Sequence, residues 1–319
     1  MTFAHQDKDF VALVRIVAQE RGVSEALIEK DYWVTHTLWA LTQSGLDVWF
    51  KGGTSLSKGF GLITRFSEDL DLKIEHGKVD NLPAVGSWTS KNKGPTAARR
   101  AFYEALAARF TVPGAPVELV AGSLGKEARG AEYRVLYPGE FRGQLAPPMR
   151  PFVLLEVGDA RVVPFVARPL ASWVHEALEK RGALAEFTDN RPTAVRCVHP
   201  LVTLLDKLDA ISIRFARGKE APSFVRHYED AARIIQATDA KLLPPLDHTP
   251  KSLADEMHAA SDIRSVPVPT DPAFDPPAGD RRKEIERAYA AIAPMFWGER
   301  VALSDSLRVI REWAARALV

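Results

Sequence analysis

The run Asp69-Leu70-Asp71-Leu72 constrains this chain more than any other stretch of it. A β-strand sends residues i and i+2 to one face, so the two leucines go to a core while the two aspartates stay together on the opposite face. Two carboxylates held that way favour a hard divalent cation, which takes oxygen ligands and keeps room for substrate phosphates. Upstream lie Trp49-Phe50-Lys51, a short apolar strand, and then Gly52-Gly53-Thr54-Ser55. The glycines let the backbone approach a ligand closely, and the turn opens an interrupted helix whose N–H groups favour an anion. An anion cradle this close to paired carboxylates points to chemistry on a nucleoside triphosphate.

Composition sets the frame around that stretch. A chain of 319 residues with 46% apolar residues is long enough for a substantial core. Its formal charge of +1 gives no global case for nucleic acid, so any such contact must come from local patches. Cys197, the one cysteine, excludes a disulfide framework within the chain and a cysteine-clustered zinc site. It reads as a small buried hydrophobe. The first residues lack the basic start and apolar core of a signal peptide, and no apolar run reaches the roughly 18 residues of a membrane span. The expected setting is the cytoplasm, with no membrane partner.

Helical spacing of Phe10, Leu13, Val14 and Val17 predicts a helix over residues 7–21, and Ser24 suits the N-cap of a second helix ending near Leu41. That helix carries Tyr32, Trp33, Leu38, Trp39 and Leu41 as a packing face, which leaves Lys30 and Asp31 either to reach a substrate or, as the simpler reading, to a solvated face. A polar loop over 77–95 precedes a helix over 96–109, and strand-like runs alternate with turns from Val117 to Val157. Between Lys91 and Arg134 eight basic residues stand against four acids. A nucleic-acid face that includes Arg99 and Arg100 and a solvated mixed surface explain this equally well. From Ala171 onward the pattern is helical, near 171–181, 200–217, 225–237, 280–295 and 305–318. The proline- and aspartate-rich stretch 242–277, with a weak helix at 252–260, is expected to be a flexible excursion.

The last strand-like run, Pro151 to Asp159, is apolar except for Glu156. An acid in such a strand needs a partner or a metal, since burying it unpaired is costly. Strand, Gly-Gly-Thr-Ser turn, helix, Asp-x-Asp strand and a later strand with a lone acid form the order of parts that two-metal nucleotidyl transfer uses. Asp69 and Asp71 then bridge the ions, Glu156 binds or activates the attacking hydroxyl, and Gly53 and Ser55 cradle the phosphates. Ser67, two positions before Asp69, is expected on the same face, where a modification would block triphosphate binding.

The run KGGTSLSKGFGLITRFSEDLDL resembles the AbiEii/AbiGii nucleotidyltransferase toxins of the DNA polymerase beta-like superfamily. The likeness extends to EKDYWVTHTL, to LLEVG around Glu156, to TLLDKLDAI from Thr203 and to RHYEDAARI from Arg226. By position, the family's helical lysine and its second-lobe acid are Lys207 and Asp230. Taken without the family, Lys207 sits in an apolar helix and would snorkel to solvent. Asp230 shares a face with Arg226 and His227, and either pairs with Lys207 or forms a structural salt bridge. The nucleotide site that the resemblance implies comprises Gly52, Gly53, Thr54, Ser55, Lys58, Arg65, Ser67 and Arg226, and the metal ligands are Asp69, Asp71 and Glu156.

The expected fold is α/β (α+β): a nucleotidyltransferase core with a mixed sheet and N-terminal helices over 1–170, and a mostly helical lobe over 171–319, with the cleft between lobes. The resemblance implies a toxin of a type IV toxin–antitoxin or phage-defence pair. Such a protein uses a nucleoside triphosphate with Mg²⁺ or Mn²⁺, modifies RNA at the 3′ end of tRNA, and is held by an antitoxin. Two rivals stand beside it: transfer of a nucleotide or phosphoryl group to a protein hydroxyl, and a catalytically inactive module that binds RNA or a partner.

Overall fold

A computed structural model describes residues 1–67, 69–145 and 149–319. The chain forms two compact units, each made of several segments: Met1–Gly59, Glu68–Ala160 and Ala167–Cys197 in the first, and Phe60–Ser67, Arg161–Val166 and Val198–Val319 in the second. Among the described residues there are seven strands in one mixed sheet: β1 (Asp47–Lys51), β2 (Asp69–Glu75), β3 (Val117–Leu119), β4 (Gly130–Val135), β5 (Val153–Gly158), β6 (Phe165–Arg168) and β7 (Val195–Val198). Their order is β3-β4-β5-β2-β1-β7-β6. β2 lies antiparallel to β1 and parallel to β5, β4 is antiparallel to both β3 and β5, and β7 runs parallel to β1. The mixed sheet and flanking helices agree with the α/β expectation.

Alternation in β2 is as the sequence predicts: Leu70, Leu72 and Ile74 are buried, and Asp69, Asp71 and Lys73 are half-buried on the other face. In β5 the residues Leu154 and Leu155, which point to opposite faces, are both buried, as fits a strand covered on both faces. Four-residue β7 inserts between β1 and the edge strand β6, in a region whose pattern predicts helix alone. Its four residues lie between Pro192 and Pro200, too short a run to show alternation.

The first unit also holds α1 (Phe10–Arg21), α2 (Glu25–Gln43), a three-residue helical turn α3 (Gly52–Thr54), α4 (Lys93–Leu106) and α5 (Trp173–Lys180). Ser24 stands at the start of α2 in extended conformation, as its N-cap chemistry predicts. The solvated face expected for Lys30 and Asp31 is not found: Glu29, Lys30 and Asp31 are all buried. Helix α2 packs on α1, α5, β1 and β5, so most of its circumference is covered. Each charge has a fixed partner, which is what makes its burial tolerable. The Glu29 carboxylate accepts the N–H groups of Glu140 (2.8 Å) and Phe141 (3.0 Å), and the Lys30 ammonium donates to the Arg150 carbonyl (2.8 Å). Asp31 accepts from the Trp173 N–H (2.8 Å) and pairs with Lys58.

The second unit is built from α6 (Pro200–Ala216), α7 (Arg226–Asp239), α8 (Pro250–Ala259), α9 (Asp280–Ala291) and α10 (Leu303–Ala317), with α7 packed between α6 and α10. The segment 60–67 joins it through a bridge from Arg65 to Phe296 and through the Phe66 N–H, which donates to the Met295 carbonyl (3.0 Å). The stretch 242–277 is no flexible excursion. Leu253, Ala254, Met257, Ile263, Ala273 and Phe274 are buried, and the Tyr228 hydroxyl donates to the Ala273 carbonyl at 2.7 Å. Scattered apolar residues anchor the path. No helix among the described residues is long and apolar enough to cross a membrane.

Candidate active site

Strand pairing collects the acids of the first unit. Lys51 on β1 faces Asp71 on β2, Asp71 faces Glu156 on β5, and Glu156 faces Glu132 on β4. Paired residues share a face of the sheet, so these four side chains form one row across four strands. Asp69 stands two residues along β2 on that same face. Glu156 reports the crowding: burial, then the charges of Asp69, Asp71 and Glu132, push its carboxyl up to about 7, with Arg150 pulling the other way. The row borders a cleft of about 610 Å³, closed on its other side by the loop from Ser123 to Arg129.

Gly52 fixes the turn against this row. Its φ of +74° is in the left-handed region, and a Cβ there would stand 1.7 Å from Asp71 Oδ2. Only a glycine lets the Asp71 carboxylate lie on this backbone. Gly53 follows in α3, which is one short turn continued by a π-helical turn over Ser55–Gly59, so the expected interrupted helix is brief. The hydroxyls of the turn are committed to the interior. Thr54 Oγ1 donates to the Asp69 carbonyl (2.7 Å), tying the turn to β2, and Ser55 is buried with the Cys197 thiol beside its hydroxyl. Ser55 therefore does not present a donor at the surface as the sequence suggests. Burial pushes the Cys197 thiol up to about 11, the behaviour of an inert core cysteine. Lys58 is engaged by the buried Asp31, so its charge anchors the turn to α2.

Asp69, Asp71 and Glu156 fit a hard divalent cation in kind, being all-oxygen donors whose mutual repulsion a cation would relieve. Among the described residues no three acidic, histidine or cysteine side chains are drawn together closely enough to hold one.

A second cluster lies within the second unit. Arg65 grips Asp230 with two hydrogen bonds, Nε to Oδ1 (2.8 Å) and Nη2 to Oδ2 (2.7 Å), and Lys207 on α6 donates to the same Oδ2 at 2.7 Å. The snorkelling lysine expected without the family is absent, because Asp230 compensates its charge inside the helix pair. Asp230 is fully buried, which alone would raise its pKa, but Arg65 and Lys207 hold it well below the usual carboxylate range. Burial draws the Lys207 ammonium down while Asp230 opposes that pull. His227 sits between Lys207 and Arg214, and burial with these cations keeps it neutral. Arg226 opens α7 and adds a further cation felt by both Lys207 and His227.

Ser67 does not meet its expectation. Strand β2 begins at Asp69, so alternation does not extend to Ser67, and at 8% exposure its hydroxyl is not open to modification. Arg99 is also no surface cation: its buried guanidinium donates to the carbonyls of Ser87, Ser90 and Glu127. Arg100 is held by the Gly125 carbonyl at 2.8 Å. Sequence reasoning passed over Lys51 and Glu132 as members of the site. Both alternate with buried neighbours in their strands, but only the pairing of β1, β2, β5 and β4 brings them into the row.

A family model described as nucleotidyl transferase AbiEii toxin, type IV TA system, matches residues 38–315. No curated protein matches the chain. The matched span takes in β2 with its paired aspartates, Glu156, Lys207 and Asp230, and on that coverage the chain belongs to the AbiEii family of nucleotidyl transferase enzymes, toxins of type IV toxin–antitoxin systems.

Proposed function

We propose that this enzyme moves a nucleoside monophosphate from a nucleoside triphosphate to an acceptor hydroxyl on RNA, at the 3′ end of tRNA, and so stops translation in the cytoplasm until a cognate antitoxin protein restrains it. The observation that carries this reading is the close approach of the Gly52 turn to Asp71, which pairs in register with Glu156 across β2 and β5. Asp69, Asp71 and Glu156 would hold Mg²⁺ or Mn²⁺, which when bound supplies Lewis-acid stabilisation of charge on the phosphates. The backbone at Gly52 and Gly53 receives phosphate oxygens. The acceptor oxygen forms a bond to the α-phosphorus while the bond from that phosphorus to the bridging oxygen breaks, and pyrophosphate leaves. Glu156, beside Asp71 in the row that borders the cleft, would take the acceptor's proton. Lys207 and Asp230 are assigned to the same reaction by the family resemblance.

Labelled triphosphates, each of the four in turn, incubated with total RNA and separately with total protein, test this reading. Label is expected in the tRNA fraction with one or two of the nucleotides and is expected to vanish in Asp69→Ala. Label entering protein instead would replace the RNA acceptor, and an Asp69→Ala variant as active as wild type would remove β2 from the chemistry.

A further inference from the structure

Asp71 has two flanks within the first unit. On the β1 side the Gly52 turn lies on its carboxylate; on the β5 side the row continues through Glu156 to Glu132 and opens into the cleft of about 610 Å³. The turn takes no part in the cleft lining, whereas Lys51, Asp71, Glu132 and Glu156 do. A triphosphate at the turn leaves this second flank to the other reactant. The cleft volume is within the range of sites for ligands of nucleotide size.

Its outer wall is basic. Lys126 lines the cleft, is exposed, and has neither an ion pair nor a hydrogen bond among the described residues. Lys51, at the floor, is likewise without such a partner. Lys91 and Arg129 flank the same loop, where Glu127 pairs with Arg129 (2.8 Å) and lies 3.9 Å from Lys91. Arg100 holds the loop by its Gly125 carbonyl. Four cations around Glu127 make an anion-receptive rim, while the carboxylates inside meet a hydroxyl. That polarity, hydroxyl inward and phosphate outward, is the polarity of the terminal nucleotide of a nucleic-acid strand. A protein hydroxyl brings no fixed anion for the rim.

We propose that this cleft is the acceptor subsite, that it takes the 3′-terminal nucleotide of an RNA strand with its hydroxyl toward Glu156, and that Lys126 and Lys91 hold the backbone phosphates. This rests on the nucleotidyl-transfer reading given above and adds to it the place and the residues that bind the acceptor.

The test uses the full chain carrying Lys91→Glu and Lys126→Glu together. With RNA as acceptor, the KM for RNA should rise at least tenfold while the KM for the triphosphate moves less than twofold. The slope of log affinity against log salt should flatten by between about 0.7 and 1.4, for one or two lost phosphate contacts on a single strand. In the Asp69→Ala protein, where substrate is not consumed, RNA ending in a photoreactive base should cross-link to the 123–130 peptide. An unchanged acceptor KM and salt slope would overturn the proposal, as would a cross-link elsewhere. A rise in the triphosphate KM instead would give the cleft to the nucleotide. Should wild type label no RNA at all, the underlying reading fails first, and that outcome is distinct from transfer that ignores the two lysines. Both positions are exposed at the surface, and Lys126→Ala is the milder variant if the charge reversals disturb folding.

Discussion

Gly52 and Asp71 are the pair on which the site turns, and their relation is steric before it is chemical. A methyl group at 52 overlaps Asp71 Oδ2 and is also forced into left-handed backbone, which costs about 1–2 kcal/mol for a non-glycine residue. The relief available is to move the carboxylate or the turn, and an ångström of displacement in a positioned site costs on the order of 10²-fold in rate. Gly52→Ala is therefore expected to keep its fold by circular dichroism and lose at least about 100-fold in transfer; activity within threefold of wild type would show that the turn does not position Asp71. At this scale the sequence spoke clearly about residue type and alternation. It could not say that glycine is required by a carboxylate rather than by a phosphate, because that depends on an approach between residues 52 and 71 across a strand pair. Ser55 and Thr54 show the same limit: a hydroxyl in a glycine-rich turn reads as a ligand donor until its burial and its partner are known.

Among the elements, α6 and α7 are joined by one buried carboxylate shared between two cations. Replacing a charged partner inside such a cluster leaves the remaining charges uncompensated, at a cost of about 3–5 kcal/mol. Asp230→Asn should lower the free energy of unfolding by that amount in urea titration at pH 7; a loss below 1 kcal/mol would mean that the three side chains relax to solvent. Asp230 is held low in the folded state, so its contribution is present above its unfolded value near 3.8 and is lost only as pH falls below it. Helix positions were well legible from 3.6-residue spacing, including α6, α7 and α10 to within two residues. What spacing hid was burial on α2. A helix read as amphipathic puts Lys30 and Asp31 outside, whereas the fold covers nearly all of it and secures each charge to a separate loop or turn. β7 escaped for the opposite reason, being a strand too short to carry a period.

At the scale of the molecule, stability in acid is decided by histidines in the interior rather than by the site. In the first unit the rings of His36 and His175 are joined through Asn190. His36 Nε2 donates to the Pro113 carbonyl (2.9 Å), so its Nδ1 accepts from the Asn190 amide (2.8 Å). Asn190 Oδ1 in turn accepts from His175 Nε2 (2.8 Å), and His175 Nδ1 accepts from Ser172 Oγ (2.7 Å). His5 Nδ1 meets the Tyr32 hydroxyl at 3.0 Å, and the Asn190 amide also donates to that hydroxyl at 3.2 Å. Every ring here needs one bare nitrogen, so a proton added to His36 or His175 sets donor against donor. Burial, with like charge from the neighbouring ring, lowers both His5 and His36 to about 4, and His175, His199 and His227 are lowered as well. The unfolded chain then takes up protons first, from about 6.5 downward, so their contribution is complete above pH 6.5 and is lost as pH falls toward 4. Glu29, Glu156 and Asp209 act in the opposite sense, because their folded values are raised and their penalty fades as the pH falls. Five lowered histidines stand against these three acids, and stability is expected to fall from pH 7 to pH 5. Urea midpoints measured across that range should fall with pH, more steeply in Glu156→Gln, which removes one opposing acid, and less steeply in His36→Gln. A midpoint that is flat or rises between pH 7 and pH 5 in all three proteins would show that these rings already carry their protons in the folded chain.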